Sequence, residues 1–220
     1  MTSLAMHAFA PAETLLSVFT LGREQAINDA DPVSDDDRHI IERVNGGDRE
    51  AFSKIVARYQ RDISVYMWRF TRDHIAWEEL VQEVFVEAYF SIGKFRGEAP
   101  LLHWLKKIAT RVGYRHWKKN ARARSVPMQP LDDYVEGKEA RTRRPDESGD
   151  SELVHLMLAQ LPPRDRLVLT LLYLEGRSTE EASEMCGWSH SLVRVQAFRA
   201  KRKLKKLLEA YYENVKSSGQ

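Results

Sequence analysis

Apolar residues recur along this chain at helical spacing, in blocks separated by glycine, proline and acidic runs. Ile40, Ile41 and Val44 open the pattern, Gly46 and Gly47 interrupt it, and Ala51, Phe52, Ile55, Val56 and Tyr59 resume it. Ile63, Tyr66, Met67 and Phe70 carry the same face onward, so helix is predicted from Asp37 to about Arg72. From about Ile75 to Tyr89 a further helix places Trp77, Leu80, Val81, Val84 and Ala88 on one face, with Glu79, Gln82, Glu83 and Val86 on the other. After Pro100, Leu101, Leu105, Ile108 and Val112 form a third buried stripe. Its remaining faces carry Lys106, Lys107, Arg111, Tyr114, Arg115, Trp117, Lys118 and Lys119.

The period then stops. From Arg122 to about Asp150 there is no apolar repeat, and Pro127, Pro130, Gly137 and Pro145 fall among mixed charges biased to acid. Such a stretch is too long for a loop inside one compact domain and reads as a linker. Leu153, Val154, Met157 and Leu158 restart the helical pattern. The expectation is an all-α chain of two small helical domains joined by a flexible linker. The boundaries are a weakly patterned extension at 1–34, a first domain at 35–122, a linker at 123–149 and a second domain at 150–214.

The second domain is the more explicitly punctuated. Pro162 and Pro163 suit a first helical turn, and Gly176 follows the run of Leu167, Val168, Leu171 and Leu172 as a stop. Ser178 and Glu181 have capping-box spacing, Gly187 breaks the short helix that follows, and Ser189 is placed to cap a long one. Short helix, glycine turn and long helix make a helix-turn-helix. From Ser191 to Leu208 the long helix carries Arg194, Arg199, Lys201, Arg202, Lys203, Lys205 and Lys206 and no acid. A helix in a major groove needs short or adaptable side chains toward the bases and cations toward the phosphates. Ser189, Ser191, Leu192, Val193, Arg194 and Gln196 provide the first, and the basic run provides the second.

Charge matters here by distribution. The 220 residues carry a net charge of only +2, yet no acidic residue lies between Ala99 and Met128, and aspartates cluster from Asp29 to Asp37. Segregated charge suits a protein that shows different faces to different partners. The single cysteine, Cys186, excludes an internal disulfide and a cysteine zinc site, and it reads as a small buried apolar residue. The seven histidines are dispersed without ligand spacing and no glycine-rich phosphate loop is present, so neither an enzyme nor a cofactor is expected. No run approaches the roughly 20 apolar residues of a membrane span, and the first residues lack a basic leader, so a cytoplasmic protein with no membrane span of its own is expected.

Two blocks together resemble the bacterial extracytoplasmic-function (ECF) sigma factors. In the second domain the L-P-x-R-x-R-x-V-L run stands at Leu161, Pro162, Arg164, Arg166, Val168 and Leu169, and Y-x-E-G-x-S at Tyr173, Glu175, Gly176 and Ser178. In the first, Gly47, Asp48, Ala51 and Phe52 with the Arg58–Tyr59 pair match the family, as do Glu79, Leu80, Gln82, Glu83 and Phe85. Phe95-Arg96-Gly97-Glu98-Ala99, Trp104-Leu105 and Ile108-Ala109 match as well.

The resemblance implies that Glu79, Gln82, Glu83 and Val86 bind core RNA polymerase. It implies that Phe95, Arg96, Lys107, Arg111, Tyr114, Arg115, Lys118 and Lys119 hold the opened −10 strand of promoter DNA. Cations that follow a backbone and rings that stack on bases suit that task. It implies further that Ser189, Ser191, Leu192, Arg194, Val195, Gln196, Arg199 and Arg202 meet the −35 duplex, and that an anti-sigma factor is a partner. Departures are Leu192 and Gln196 for a usual Thr and Arg, and Arg111 and Arg115 for usual amide or acid residues. The last two imply −10 contacts that are more electrostatic. A free-standing helix-turn-helix regulator is the rival reading; it would dimerise on two half-sites and leave the Glu79–Glu83 face without a purpose.

Overall fold

A computed structural model describes residues 34–125 and 149–218, and every regular element among them is helical. The predicted extension before Ser34 and residues 126–148 of the predicted linker lie outside the described residues. By contact, the described residues fall into two compact units, 34–125 with 180–189, and 149–179 with 190–218.

In the first unit α1 spans Asp35–Asn45, α2 Ala51–Met67, α3 His74–Ser91 and α4 Leu101–Ser125, with a 3₁₀ turn at Ile92–Lys94. Helix α1 starts two residues before the apolar period predicts, because Ser34 accepts the Asp37 N–H at 3.1 Å and acidic side chains fill the positive first turn. Gly47 turns the chain at φ +97°, and Asp48 Oδ1 then accepts the Ala51 N–H at 3.1 Å to start α2. Helix α2 ends at Met67 rather than continuing to Arg72. Asp73 opens α3 by accepting the Ala76 N–H at 3.0 Å.

A second role falls to Asp37. Only 3% exposed, it takes Arg58 Nη1 and the Tyr59 hydroxyl at 2.5 Å each, joining the first turn of α1 to the middle of α2. Burial, reinforced by the Asp37 carboxylate, raises the Tyr59 hydroxyl pKa well above its ordinary value, so it stays a donor.

Helix α4 runs through the centre of this unit, and its buried surface is wider than a four-residue stripe. Leu101, Leu105, Ile108 and Val112 are buried as predicted, but so are Lys106, Ala109, Thr110 and Trp117. Two expectations are corrected by this. Trp117, placed by spacing on an outer face, packs its ring 4.7 Å from Phe70 and donates its N–H to the Phe70 carbonyl at 2.6 Å. Lys106 is 3% exposed, with its ammonium 6.0 Å from the centre of the Tyr66 ring. Tyr66 and Thr110 share a buried hydroxyl hydrogen bond of 2.7 Å. Gly113 lets α4 approach Phe70 directly.

In the second unit α5 spans Gly149–Ala159 and α6 Pro163–Leu169, whose last turn widens into a π-turn at Thr170–Leu174. Gly176 ends it at φ +63°, the stop expected from sequence. Helix α7, Thr179–Cys186, falls almost wholly within the residues 180–189 grouped with the first unit, α8, His190–Ser218, lies in the second, and Gly187 between them has φ +68°. Val154, Met157, Leu158 and Leu161 pack with Leu169, Ala200, Leu204 and Leu208 in one cluster that fixes α8 on α5 and α6. Asp165, 1% exposed in α6, takes Gln196 Nε2 at 2.5 Å and Lys203 Nζ at 2.6 Å from two successive levels of α8.

Candidate nucleic-acid and protein interfaces

Burial of Leu80, Val81, Val84, Phe85 and Ala88 turns the opposite side of α3 outward. Glu79, Gln82, Glu83 and Val86 are all exposed on it, while Phe85 is a core residue. The stripe is longer and more apolar than sequence reasoning placed it, because Ile75 and Phe90 are 72% and 80% exposed at the same helical register. The signal for both was present: positions 75, 79, 82, 83, 86 and 90 follow one i, i+3/i+4 track. A large ring held out in water beside carboxylates marks a surface suited to covering by a partner.

Helix α4 supplies the basic face. Arg111, Lys118 and Lys119 are exposed; Lys107 and Tyr114 are half-buried. The Lys118 ammonium lies 5.6 Å from the centre of the Tyr114 ring, a cation beside an aromatic face as in strand-binding sites. In the loop before α4, Phe95 is half-buried with its ring 5.5 Å from that of Trp104. Arg96 is exposed, 3.8 Å from Glu98.

Arg115 differs from the other cations. Its guanidinium reaches across to α3, 2.8 Å from Glu83 Oε1, and also bonds Glu87. Partial burial disfavours its charge, but the two carboxylates outweigh that and hold its pKa above the ordinary value. Between the helices opens a cleft of about 570 Å³, with Glu79 and Glu83 on its acidic side and Arg115, Lys118, Lys119 and Arg122 on its basic side.

On α8, Val193, Ala197, Ala200, Leu204 and Leu208 face the core, which leaves Ser189, Ser191, Arg194, Val195, Arg199 and Arg202 exposed. Leu192 is half-buried, and so is Gln196, whose amide is given to Asp165. Phe198, absent from the sequence-based set, is 64% exposed, with the Arg202 guanidinium 6.0 Å from its ring centre. It shares the track of Val195, Arg199 and Arg202, so spacing could have found it. Thr179 Oγ1 and His190 Nε2 lie 2.7 Å apart, tying the first residues of the two helices of the motif. Burial pushes the half-buried Cys186 thiol up to about 12, so it is protonated and unreactive near neutrality. Among the described residues no group of three or more His, Cys, Asp or Glu could hold a metal, and no helix is long and apolar enough to cross a membrane.

A helix-turn-helix with a basic second helix, carried with a helical unit that shows an acidic–apolar stripe and a basic–aromatic face, defines a DNA-binding transcription protein. Comparison with known proteins narrows the class. A Sigma-70 region 2 family model matches residues 55–123, and a Sigma-70, region 4 model matches 151–204. The RNA polymerase sigma-H factor of Pseudomonas aeruginosa is 32% identical over 185 residues, covering 79% of this chain and 94% of that protein. The ECF RNA polymerase sigma-E factor of Haemophilus influenzae is 30% identical over 182 residues, covering 79% and 95%. The chain belongs to the sigma-70 family of RNA polymerase sigma factors, in the ECF group.

Solved structures agree on the fold. CnrH in complex with the cytosolic domain of CnrY superposes with a TM-score of 0.51 at 24% identity, over 80% of this chain and 99% of that one. The sigma factor RpoE in complex with the anti-sigma factor NepR from Bartonella quintana gives 0.53 at 21% identity, over 72% and 96%.

Proposed function

We propose that this sigma factor brings core RNA polymerase to promoters, with residues 35–122 binding core and the −10 strand, 123–149 linking, and 150–214 reading the −35 duplex. The observation that carries this reading is the outward stripe of α3, where Glu79, Gln82, Glu83 and Val86 stand exposed between Ile75 and Phe90. A regulator acting on DNA alone has no use for such a surface, so that rival is not favoured. Carboxylates set among exposed apolar groups suit a basic helical partner, with the apolar groups giving area and the acids giving register. Phe95, Arg96, Lys107, Arg111, Tyr114, Lys118 and Lys119 take the opened strand. Ser189, Ser191, Leu192, Arg194, Val195, Arg199 and Arg202 face the −35 duplex, joined by Phe198. Like any sigma factor, the chain is not an enzyme. It acts in the cytoplasm, where an anti-sigma factor is its expected partner, as the similarly folded RpoE is bound to the anti-sigma factor NepR.

Co-elution with bacterial core RNA polymerase on size exclusion tests the reading. The native chain is expected to form a stable complex, and the Glu79→Lys/Glu83→Lys double variant to lose it while its −35 duplex binding persists. Failure of the native chain to bind core, or full assembly by the double variant, would remove the α3 assignment.

A second expectation concerns Arg194. It is exposed near the start of α8, which suits contact with a base edge. Arg194→Ala should weaken −35 binding by about 1–3 kcal/mol and relax preference at one base pair. An equal loss on every duplex sequence would make it a phosphate contact instead.

A further inference from the structure

Arg115 lies on the helix that also exposes Arg111, Lys118, Lys119 and Arg122, yet its Nη2 bonds Glu83 and Glu87 of α3. Those carboxylates stand 32 and 28 residues away in sequence, so the pairing arises from packing of α3 on α4 and not from local helical spacing. About half the guanidinium side chain remains exposed, at 49%, as does the Glu83 side chain at 47%. The bridge therefore sits at the surface, on the edge of the face proposed for core polymerase. Arg115 makes both contacts through Nη2, and the two carboxylates locally cancel its positive charge. It does, however, fix the rotamers of both acids, which a flexible Glu on an exposed helix would otherwise sample at an entropic cost on binding.

We propose that Arg115 belongs to the polymerase-docking surface as a positioning residue: it holds Glu83 and Glu87 in the geometry that meets core and does not contact the −10 strand. The inference rests on the α3 docking reading and adds a residue that the family resemblance assigns to DNA. It also divides the cations of one face of α4 between two roles. Arg111, Lys118 and Lys119 serve the strand, whereas Arg115 serves the neighbouring helix. Arg115→Lys keeps the charge but carries it on a shorter, more flexible stem without the rigid guanidinium plane, so charge alone should restore only part of the effect.

The test uses the full chain and two titrations. In the first, affinity for bacterial core RNA polymerase is measured by fluorescence. Arg115→Ala is expected to weaken it three- to tenfold and Arg115→Lys to fall between the two. In the second, complexes are assembled with core in excess and titrated with a fluorescein-labelled random single-stranded DNA pool, for which Arg115→Ala should stay within twofold of the native chain. Lys118→Ala/Lys119→Ala is the control that should weaken the DNA titration.

A cycle closes the argument: in a Glu83→Gln/Glu87→Gln background, Arg115→Ala should cause no further loss of core affinity. Unchanged core affinity with a DNA loss, equal losses in both titrations, or full additivity in the cycle would each overturn the proposal. A native chain that fails to bind core would instead overturn the docking reading beneath it.

Discussion

Gly113→Ala is expected to destabilise the first unit by about 2–3 kcal/mol, although alanine is the better helix former by about 1 kcal/mol. A Cβ on Gly113 would fall inside the Phe70 ring, no farther than 2.6 Å from its Cε1. The ring cannot swing away, because Phe70 is 1% exposed and is held by the indole of Trp117, which also bonds its carbonyl. Relief must come from moving α4 outward as a body, and every buried residue from Leu101 to Trp117 then loses contact. The gain in helix propensity is smaller than that loss. Urea unfolding should show a lower midpoint at unchanged slope. Phe70→Leu in the Gly113→Ala background should cost less than it does alone, since it opens the space the methyl needs. A neutral Gly113→Ala would mean that α4 and Phe70 are farther apart than described.

Asp37→Ala should cost about 3 kcal/mol, and Asp36→Ala under about 0.5 kcal/mol, although the residues are adjacent and both meet Arg58. Exposure decides the difference. The Asp36 side chain is 81% exposed and its contact with Arg58, at 3.1 Å, is a screened surface pair. The Asp37 side chain is 4% exposed, and its loss leaves the Tyr59 hydroxyl without its acceptor and Arg58 without its close partner. Arg58 is 38% exposed, so water recovers part of its share and the figure stays below that of a fully buried pair. Equal effects in the two variants, measured by the same unfolding experiment, would contradict the placement of Asp37.

What the sequence made legible is what is decided locally. The stops at Gly176 and Gly187, the starts after Ser178 and Ser189, and the inner face of α8 depend on residues within a turn or two of one another. The helix-turn-helix and its basic side followed from them. Trp117 and Lys106 were misplaced because periodicity measures the apolar stripe and not its width. How much of α4 is covered depends on Phe70 and Tyr66, which lie more than thirty residues earlier in the chain. The partners of Arg115 and Gln196 were hidden for the same reason: which level of one helix faces which level of another is set by packing. Ile75, Phe90 and Phe198 were missed differently. Each continued a track already drawn, but an apolar residue is assigned inward by default, and only the structure shows three of them in water.

The paired hydrogen bonds from Gln196 and Lys203 to Asp165 tie the outward side of α8 to the buried side of α6. A change at position 196 alters more than the face of the recognition helix, since it also leaves a buried carboxylate with one donor fewer. A change at 165 releases two side chains at once toward whatever lies beside α8. The two positions are therefore coupled through one buried carboxylate, and a substitution at either one is felt at the other.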